Sequence, residues 1–127
     1  MKRAAPLALL AAACAQAAGP AANSSMLAEG KRAYQKCYAC HSLEGPDPST
    51  QGPSLKGVIG REVAAEPGFP YSPAMRGYAA EQPRWTRGAL DAFIADPQRV
   101  VPGNEMGYFG IADAKERRAL IAYLAAN

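Results

Sequence analysis

The sequence has little histidine, little cysteine, a small net charge and no long apolar run. The apolar stretch from Ala4 to Ala13 is interrupted by Pro6 and is too short to span a bilayer. The formal net charge is +3, and Lys2 and Arg3 contribute two of these charges, so nothing indicates a nucleic-acid partner or an anionic membrane surface. No stretch shows the alternation of a half-buried strand. These absences favour a small helical domain.

The N-terminus has the pattern of a secretory signal. The basic pair Lys2-Arg3 precedes the apolar stretch, and small residues follow at Ala15-Gln16-Ala17. We therefore expect residues 1–18 to be a cleaved signal peptide and residues 19–127 to be one mature domain in the periplasm. An alternative is lipidation at Cys14, although Ala11 stands where a lipoprotein signal usually has leucine. A membrane attachment is expected only if Cys14 is lipidated.

Capping residues and apolar periodicity predict an all-α fold of about four short helices. The predicted helices run from Ser24 or Ser25 to about Ala39, over Ala74–Arg76 after Ser72-Pro73 with a stop at Gly77, from Thr86 to Pro97, and from a capping box at Asp113 onward. Leu120, Ile121, Tyr123 and Leu124 form the inner face of the last helix. Gly30 on the first helix predicts a close crossing with that face.

Long loops separate these helices. The chain has 11 prolines and 12 glycines, and the stretch from Leu43 to Phe69 consists largely of loop-forming residues. A loop of this length in a compact domain is usually functional. Such a chain buries little apolar surface by itself, so a large cofactor would complete its core.

The motif Cys37-Tyr38-Ala39-Cys40-His41 indicates what this cofactor is. Two cysteines three positions apart with an adjacent histidine are typical of covalent haem attachment, in which both thiols add to one porphyrin and the imidazole binds its iron. The alternatives fit less well. A structural zinc site needs four Cys or His ligands, and a thioredoxin-like cysteine pair occurs in a βαβ context. A disulfide between two cysteines three residues apart on a helix would be sterically unusual.

His41 is the only histidine, so the second axial position of such an iron would hold a methionine, a lysine, water or nothing. Met26, Met75 and Met106 are the methionine candidates. Met106 lies in a proline- and glycine-rich loop that can carry a thioether across the porphyrin face, so we predict that Met106 is the ligand. The alternative is that Met106 only fills a gap in the core.

Taken together, the motifs resemble those of the class I cytochromes c, especially the bacterial relatives of mitochondrial cytochrome c. The resemblance covers nearly all of the mature chain. It rests on Gly30-x-x-x-Tyr34-x-x-Cys37-x-x-Cys40-His41, Gly52-Pro53-Ser54-Leu55, Gly60-Arg61, Gly68-Phe69-x-Tyr71-Ser72, Trp85, Pro102-Gly103-x-x-Met106 and Phe109-Gly110-Ile111.

The resemblance implies a cytochrome c fold whose loops wrap around one covalent haem c, and it implies a role for each matching residue. Cys37 and Cys40 would form the thioether bonds, and His41 and Met106 would ligate the iron. The Pro53 carbonyl would accept the Nδ1 proton of His41. Leu55 would pack on the porphyrin, and Tyr71 and Trp85 would hydrogen-bond a buried propionate near Arg61. The alternative for Tyr71 and Trp85 is ordinary aromatic core.

The chain also departs from its mitochondrial-type relatives. Where they carry lysines around the haem edge, this sequence has Thr50, Gln98, Glu105 and Ala112, although Lys36 and Arg99 are basic. Steering toward a strongly acidic partner is therefore weakened. Asn104 replaces a usual threonine beside the ligand loop, and Met75 replaces an asparagine.

The expected function is single-electron transfer in a respiratory chain, by a monomeric carrier that is not an enzyme. The donor would be a cytochrome bc complex or a dehydrogenase, and the acceptor an oxidase or a reductase. A second hypothesis is a dedicated haem subunit of a periplasmic oxidoreductase complex. A third is a haem enzyme or gas sensor whose distal site is open.

Overall fold

Residues 23–127 are described here from a computed structural model of the protein. The predicted signal peptide and Cys14 lie outside the described residues. The described chain forms five helices, α1 Ser24–Tyr34, α2 Pro73–Glu81, α3 Arg87–Ala95, α4 Pro97–Val100 and α5 Ala114–Ala125. The all-α prediction is confirmed, since strand-like pairing over 23–127 is limited to one isolated bridge between Glu62 and Arg84. None of these five helices is long and apolar enough to cross a membrane.

A side-chain oxygen caps the N-terminus of each helix by accepting a backbone N–H from the first turn. The predicted caps Ser72, Thr86 and Asp113 are confirmed. In α1, however, Asn23 supplies the capping oxygen, and the two serines predicted for this role are already helical. The added helix α4 is capped by Asp96.

Helix α1 is shorter than predicted. It ends at Tyr34, and the chain continues to Cys40 as turns rather than as a regular helix. In these turns the Cys37 N–H bonds the Tyr34 carbonyl at 2.8 Å, three residues back, whereas the His41 N–H bonds the Cys37 carbonyl at 3.0 Å, four residues back. This mixture of spacings interrupts the helix and places both cysteines on turns.

Two other boundaries differ from the prediction. Helix α2 continues through Gly77 to Glu81, because a glycine inside a helix costs only about 1 kcal/mol relative to alanine. Pro97 follows the end of α3 as predicted, but it also begins α4, since the first turn of a helix does not need the N–H that proline lacks. Residues 23–127 therefore contain five helices instead of the predicted four or so.

The crossing predicted at Gly30 is present. A Cβ atom on Gly30 would overlap the carbonyl oxygen of Ala119 and would lie 2.6 Å from the Cβ of Tyr123. The glycine thus lets the backbones of α1 and α5 approach directly. On α5, Leu120 and Leu124 are fully buried at 0% and 2% exposure, and they form the centre of the core on which the site is built.

Candidate functional site

The two cysteines of the sequence motif lie beside a single cavity of about 410 Å³. Both are free thiols and partly buried. Burial raises the pKa of the Cys37 thiol to about 11, so this thiol is protonated at neutral pH. The Cys40 thiol lies 3.5 Å from the side-chain oxygen of Gln51. The turns after α1 therefore place both cysteines at the cavity.

His41 has one orientation and one tautomer in this setting. Its Nδ1 lies 2.7 Å from the carbonyl oxygen of Pro53, so Nδ1 carries the proton and Nε2 has a free lone pair. Burial lowers the pKa of the imidazole and outweighs the Pro53 carbonyl and the Glu66 carboxylate, which would raise it. The ring is therefore neutral at neutral pH. A Cβ on Gly52 would lie 2.7 Å from Nδ1, so only glycine at this position leaves room for the ring.

The cavity collects all of the residues that the sequence predicted for the site. Its walls are mostly apolar and include core side chains from α3 and α5. The predicted site residues on these walls are Cys37, Cys40, His41, Pro53, Leu55, Arg61, Tyr71, Trp85 and Met106. A cavity with apolar walls and a few convergent polar groups is the usual form of a cofactor site.

The loop that carries Met106 is built around a buried amide. Asn104 is only 6% exposed, and its Nδ2 donates to the carbonyls of Pro97 and Val101 at 3.0 and 2.9 Å. Its Oδ1 accepts the N–H of Met106 at 3.0 Å. Gln98 braces the same loop by donating to the Asn104 carbonyl at 2.9 Å. These bonds hold Met106, which is half-buried, on the cavity wall.

Met106 is not the only methionine at the cavity. Met75 on α2 is also half-buried and also lines it, whereas Met26 on α1 does not. Met75 is therefore a second candidate, beside the predicted Met106, for the methionine ligand. The His41 side of the cavity offers no further imidazole, since His41 is the only histidine of the chain.

A polar corner of the cavity contains Arg61. The guanidinium donates to the Ser54 carbonyl at 2.7 Å and to the Lys56 carbonyl at 3.2 Å. Its Nε is buried and has no hydrogen-bond partner among the described atoms. A buried donor without a partner is costly, so this corner suits an anionic group.

Tyr71 and Trp85 lie at the same cavity. The Tyr71 hydroxyl accepts the N–H of Glu66 at 3.0 Å, and burial raises the pKa of Tyr71, which leaves a phenolic proton to donate. Trp85 is 7% exposed, and its ring lies 5.2 Å from the ring of Phe93 and 5.7 Å from that of Tyr78. Trp85 is thus part of the aromatic core and part of the cavity wall at once.

Glu66 also contributes to the site, although it was not predicted from the sequence. Its carboxylate accepts the Ser54 N–H at 2.8 Å and so joins the loop before α2 to the segment that contains Pro53. In the sequence, Glu66 looks like any solvated charge in a proline- and glycine-rich loop. Its partner is a backbone group twelve residues away, which no local pattern reveals.

The donor set fits a covalently bound haem. Two cysteines, a neutral imidazole, methionine side chains, apolar residues and an arginine whose Nε has no partner among the described atoms all line one cavity. Between residues 23 and 127, no three Cys, His, Asp or Glu side chains converge as a zinc site would need. The fold and the site together define a small all-α haem protein of the c type.

Comparison with known proteins identifies the family. The family described as Cytochrome c matches residues 27–127. The chain is 38% identical over 98 residues to cytochrome c2 of Agrobacterium tumefaciens, which covers 77% of this chain and 88% of that protein. It is also 38% identical over 106 residues to the cytochrome c-type cyt cy of Rhodobacter capsulatus. That alignment covers 83% of this chain but only 51% of the relative.

A solved structure agrees with these sequence relatives. Cytochrome cH from Methylobacterium extorquens superposes with a TM-score of 0.71 at 34% identity, over 80% of this chain and 98% of that one. The chain belongs to the cytochrome c family, among its class I bacterial members. It is a monohaem electron carrier rather than an enzyme, it binds one covalent haem c, and its partners are redox proteins.

Proposed function

We propose that Cys37 and Cys40 hold the haem through thioether bonds and that His41 and Met106 are the two axial ligands. The observation that supports this most directly is that these four side chains line one cavity, with the Nε2 of His41 unprotonated. The haem iron, when bound, supplies a one-electron Fe(III)/Fe(II) couple. Met106 as second ligand would favour the ferrous state, because thioether sulfur is a soft donor.

The remaining predicted residues support this arrangement. Pro53 orients His41 through its carbonyl, and Leu55 provides an apolar wall. Arg61, Tyr71 and Trp85 are proposed to hold a propionate, and the unpartnered Nε of Arg61 favours this role over a purely structural one. If His41 and Met106 both ligate the iron, no coordination site would remain for a substrate, and the bound haem would supply electron exchange only.

We further propose that the protein works in the periplasm as a diffusible monomer. Residues 1–18 would be removed on export, and residues 19–127 would carry electrons from a cytochrome bc complex or a dehydrogenase to an oxidase or a reductase. N-terminal sequencing of the exported protein tests this assignment: a start near Gly19 supports it, and a lipid-modified Cys14 contradicts it.

A pair of methionine variants tests the axial ligand. Met106→Leu should convert the ferric haem to a high-spin state and abolish the weak methionine-sulfur charge-transfer band, because no second strong ligand remains. Met75→Leu is the matched control, since Met75 lines the same cavity, and it should leave this band intact. If Met75→Leu removes the band and Met106→Leu keeps it, the assignment is wrong.

A second candidate is a dedicated haem subunit of one enzyme complex. It is favoured by the reduced basic surface, since Thr50, Gln98, Glu105 and Ala112 stand where related carriers have lysines, and Lys36 is paired with Glu116. Gel filtration of a mild periplasmic extract separates the two candidates. Elution as a small monomer supports the free carrier, and stable co-elution with one oxidoreductase supports the subunit.

A further inference from the structure

The peptide group between Pro53 and Ser54 is hydrogen-bonded at both of its ends. Its carbonyl oxygen, on Pro53, lies 2.7 Å from Nδ1 of His41 and accepts the proton of that nitrogen. Its N–H, on Ser54, donates to Oε1 of Glu66 at 2.8 Å. The imidazole, one peptide group and the carboxylate therefore form a continuous hydrogen-bonded chain from His41 to Glu66.

This chain is fixed at its middle and at its outer end. Ser54 is only 2% exposed, which leaves water little access to its N–H. Glu66 is partly buried, and its own backbone is held twice. Its N–H donates to the Tyr71 hydroxyl at 3.0 Å, and its carbonyl accepts the Phe69 N–H at 3.2 Å. The carboxylate is thus held against Ser54 by the surrounding loop.

The negative charge of Glu66 is not cancelled by direct pairing. None of the ion pairs within residues 23–127 includes Glu66. Arg61 is close by, but it donates to the Ser54 carbonyl at 2.7 Å, which belongs to the following peptide group. Burial has the largest effect on the pKa of His41 and lowers it, whereas the Glu66 carboxylate raises this pKa and the Arg61 guanidinium lowers it. Glu66 and Arg61 therefore act on the imidazole with opposite signs.

A carboxylate on the N–H of a peptide group makes the carbonyl of the same group a stronger acceptor, because the two ends are conjugated through the planar C–N bond. A stronger acceptor for the Nδ1 proton raises the basicity of the imidazole at Nε2. A more basic ligand stabilises ferric iron more than ferrous iron, since ferric iron carries the higher charge. Hydrogen bonding behind an axial ligand is one of the means by which a protein sets a haem potential.

We propose that Glu66 lowers the reduction potential of the bound haem by acting through this peptide group on His41. The inference rests on the proposed ligation by His41 and adds a residue that tunes the potential. Met106, as the proposed second ligand, favours the ferrous state, and Glu66 favours the ferric state. The potential of the protein then reflects the balance between the two side chains.

Glu66→Gln tests this proposal, since glutamine keeps a side-chain oxygen for the Ser54 N–H and removes the charge. In the haem-loaded protein, the equilibrium with an external one-electron redox couple should shift by about threefold or more toward the ferrous form. The Nδ1 proton of His41, observed by NMR in the diamagnetic ferrous state, should move upfield because its hydrogen bond is weaker. The methionine-sulfur band of the ferric state should persist.

Glu62→Gln is the matched control. Glu62 lines the same outer cleft as Glu66 and pairs with Arg84 at 3.5 Å, whereas the Ser54 N–H donates to Glu66. The control removes the same charge from the same part of the surface. It should leave the Nδ1 proton of His41 unchanged, and it should shift the redox equilibrium by less than about half as much, since exposed, paired charges contribute little.

The proposal is overturned if Glu66→Gln leaves either the redox equilibrium or the His41 proton at its wild-type value. It is also overturned if Glu62→Gln matches Glu66→Gln in both measurements, because the charge would then act without the peptide group. The wild-type NMR spectrum distinguishes this failure from a failure of the proposed function. If the ring protons of His41 lack the upfield shifts of an imidazole bound to haem iron, the proposed ligation is wrong, and this inference is wrong with it.

Discussion

The side-chain amide of Asn104 controls the loop that carries the proposed axial methionine. It is buried, it donates to the carbonyls of Pro97 and Val101, and it accepts the N–H of Met106. The two carbonyls also accept the backbone N–H groups of Val101 and Asn104, so the amide gives each of them a second hydrogen bond, and its oxygen is the acceptor for the Met106 N–H. A single residue thereby helps to hold the backbone of Met106 in place.

Asn104→Ala should therefore weaken both the fold and the axial bond. We expect a loss of about 2 kcal/mol in the free energy of unfolding of the haem-loaded protein, because the Met106 N–H loses its acceptor and the carbonyls of Pro97 and Val101 each lose one of two hydrogen bonds. The methionine-sulfur band should also disappear at a lower pH than in the wild type. Denaturant unfolding and a pH titration of this band measure the two effects.

The matched control for this change is Asn127→Ala. Asn127 is exposed, and its amide makes one hydrogen bond, to the Tyr123 carbonyl at 2.7 Å. The control should stay within about 0.5 kcal/mol of the wild type. Equal stabilities for the two variants would contradict the role assigned to Asn104.

At the scale of elements, the crossing of α1 and α5 is the contact that fixes the helices relative to one another. Gly30 lies against the backbone of Ala119 and the side chain of Tyr123. The ring of Tyr123 is also 5.8 Å from that of Tyr34 on α1. Nearby, the Tyr34 hydroxyl donates to the His41 carbonyl at 2.9 Å, so the crossing is connected to the haem site.

Two helical glycines allow a paired test of this crossing. Gly30→Ala should lower the free energy of unfolding by about 1–3 kcal/mol, because the new methyl group has no space between the helices. Gly77→Ala in α2 should raise it by about 0.5–1 kcal/mol, since a Cβ there meets nothing within 4 Å and alanine is the better helix former. Denaturant unfolding of both haem-loaded variants measures the difference, and changes of the same sign would contradict the crossing.

The N-terminus of α5 supplies a prediction about pH. The hydrogen bond from the Glu116 N–H lowers the pKa of Asp113 from 3.8, so its carboxylate stabilises the folded protein at pH values above 3.8. This stabilisation is lost as the pH falls through the lowered pKa. Asp113→Asn keeps a capping side chain but removes the titration.

We therefore expect Asp113→Asn to be less stable than the wild type at neutral pH and equal to it in strong acid. Urea unfolding at a series of pH values measures the gap between the two proteins. A gap that stays constant down to the lowest pH would show that the charge of Asp113 contributes nothing.

For the whole molecule, the cofactor site and the hydrophobic core are one structure. Leu120 and Leu124 of α5, together with Trp85 and Phe93, belong to the core cluster and also line the cavity. A chain rich in proline and glycine has few other places to bury apolar surface. The haem is thus expected to complete the core as well as to carry the electron.

The sequence predicted the helical class, three of the helix caps and the Gly30 crossing, because each depends on residues close together in the chain or on one steric requirement. It did not predict the end of α1 at Tyr34. The turns that follow depend on the mixed hydrogen-bond spacing around Cys37, which no local sequence pattern indicates. The contribution of Glu66 was also missed, because it depends on a loop position that only the assembled fold defines.

We propose that His41 and Met106 together ligate the haem iron. Visible spectra of the haem-loaded protein test this ligation, in the ferric state, in the ferrous state and in the ferrous state under carbon monoxide. If both residues are ligands, the spectra should be low-spin, the ferric state should show a methionine-sulfur charge-transfer band, and carbon monoxide should cause no change. A high-spin ferric spectrum with rapid carbon monoxide binding would contradict it, and would indicate an open iron site instead of an electron carrier.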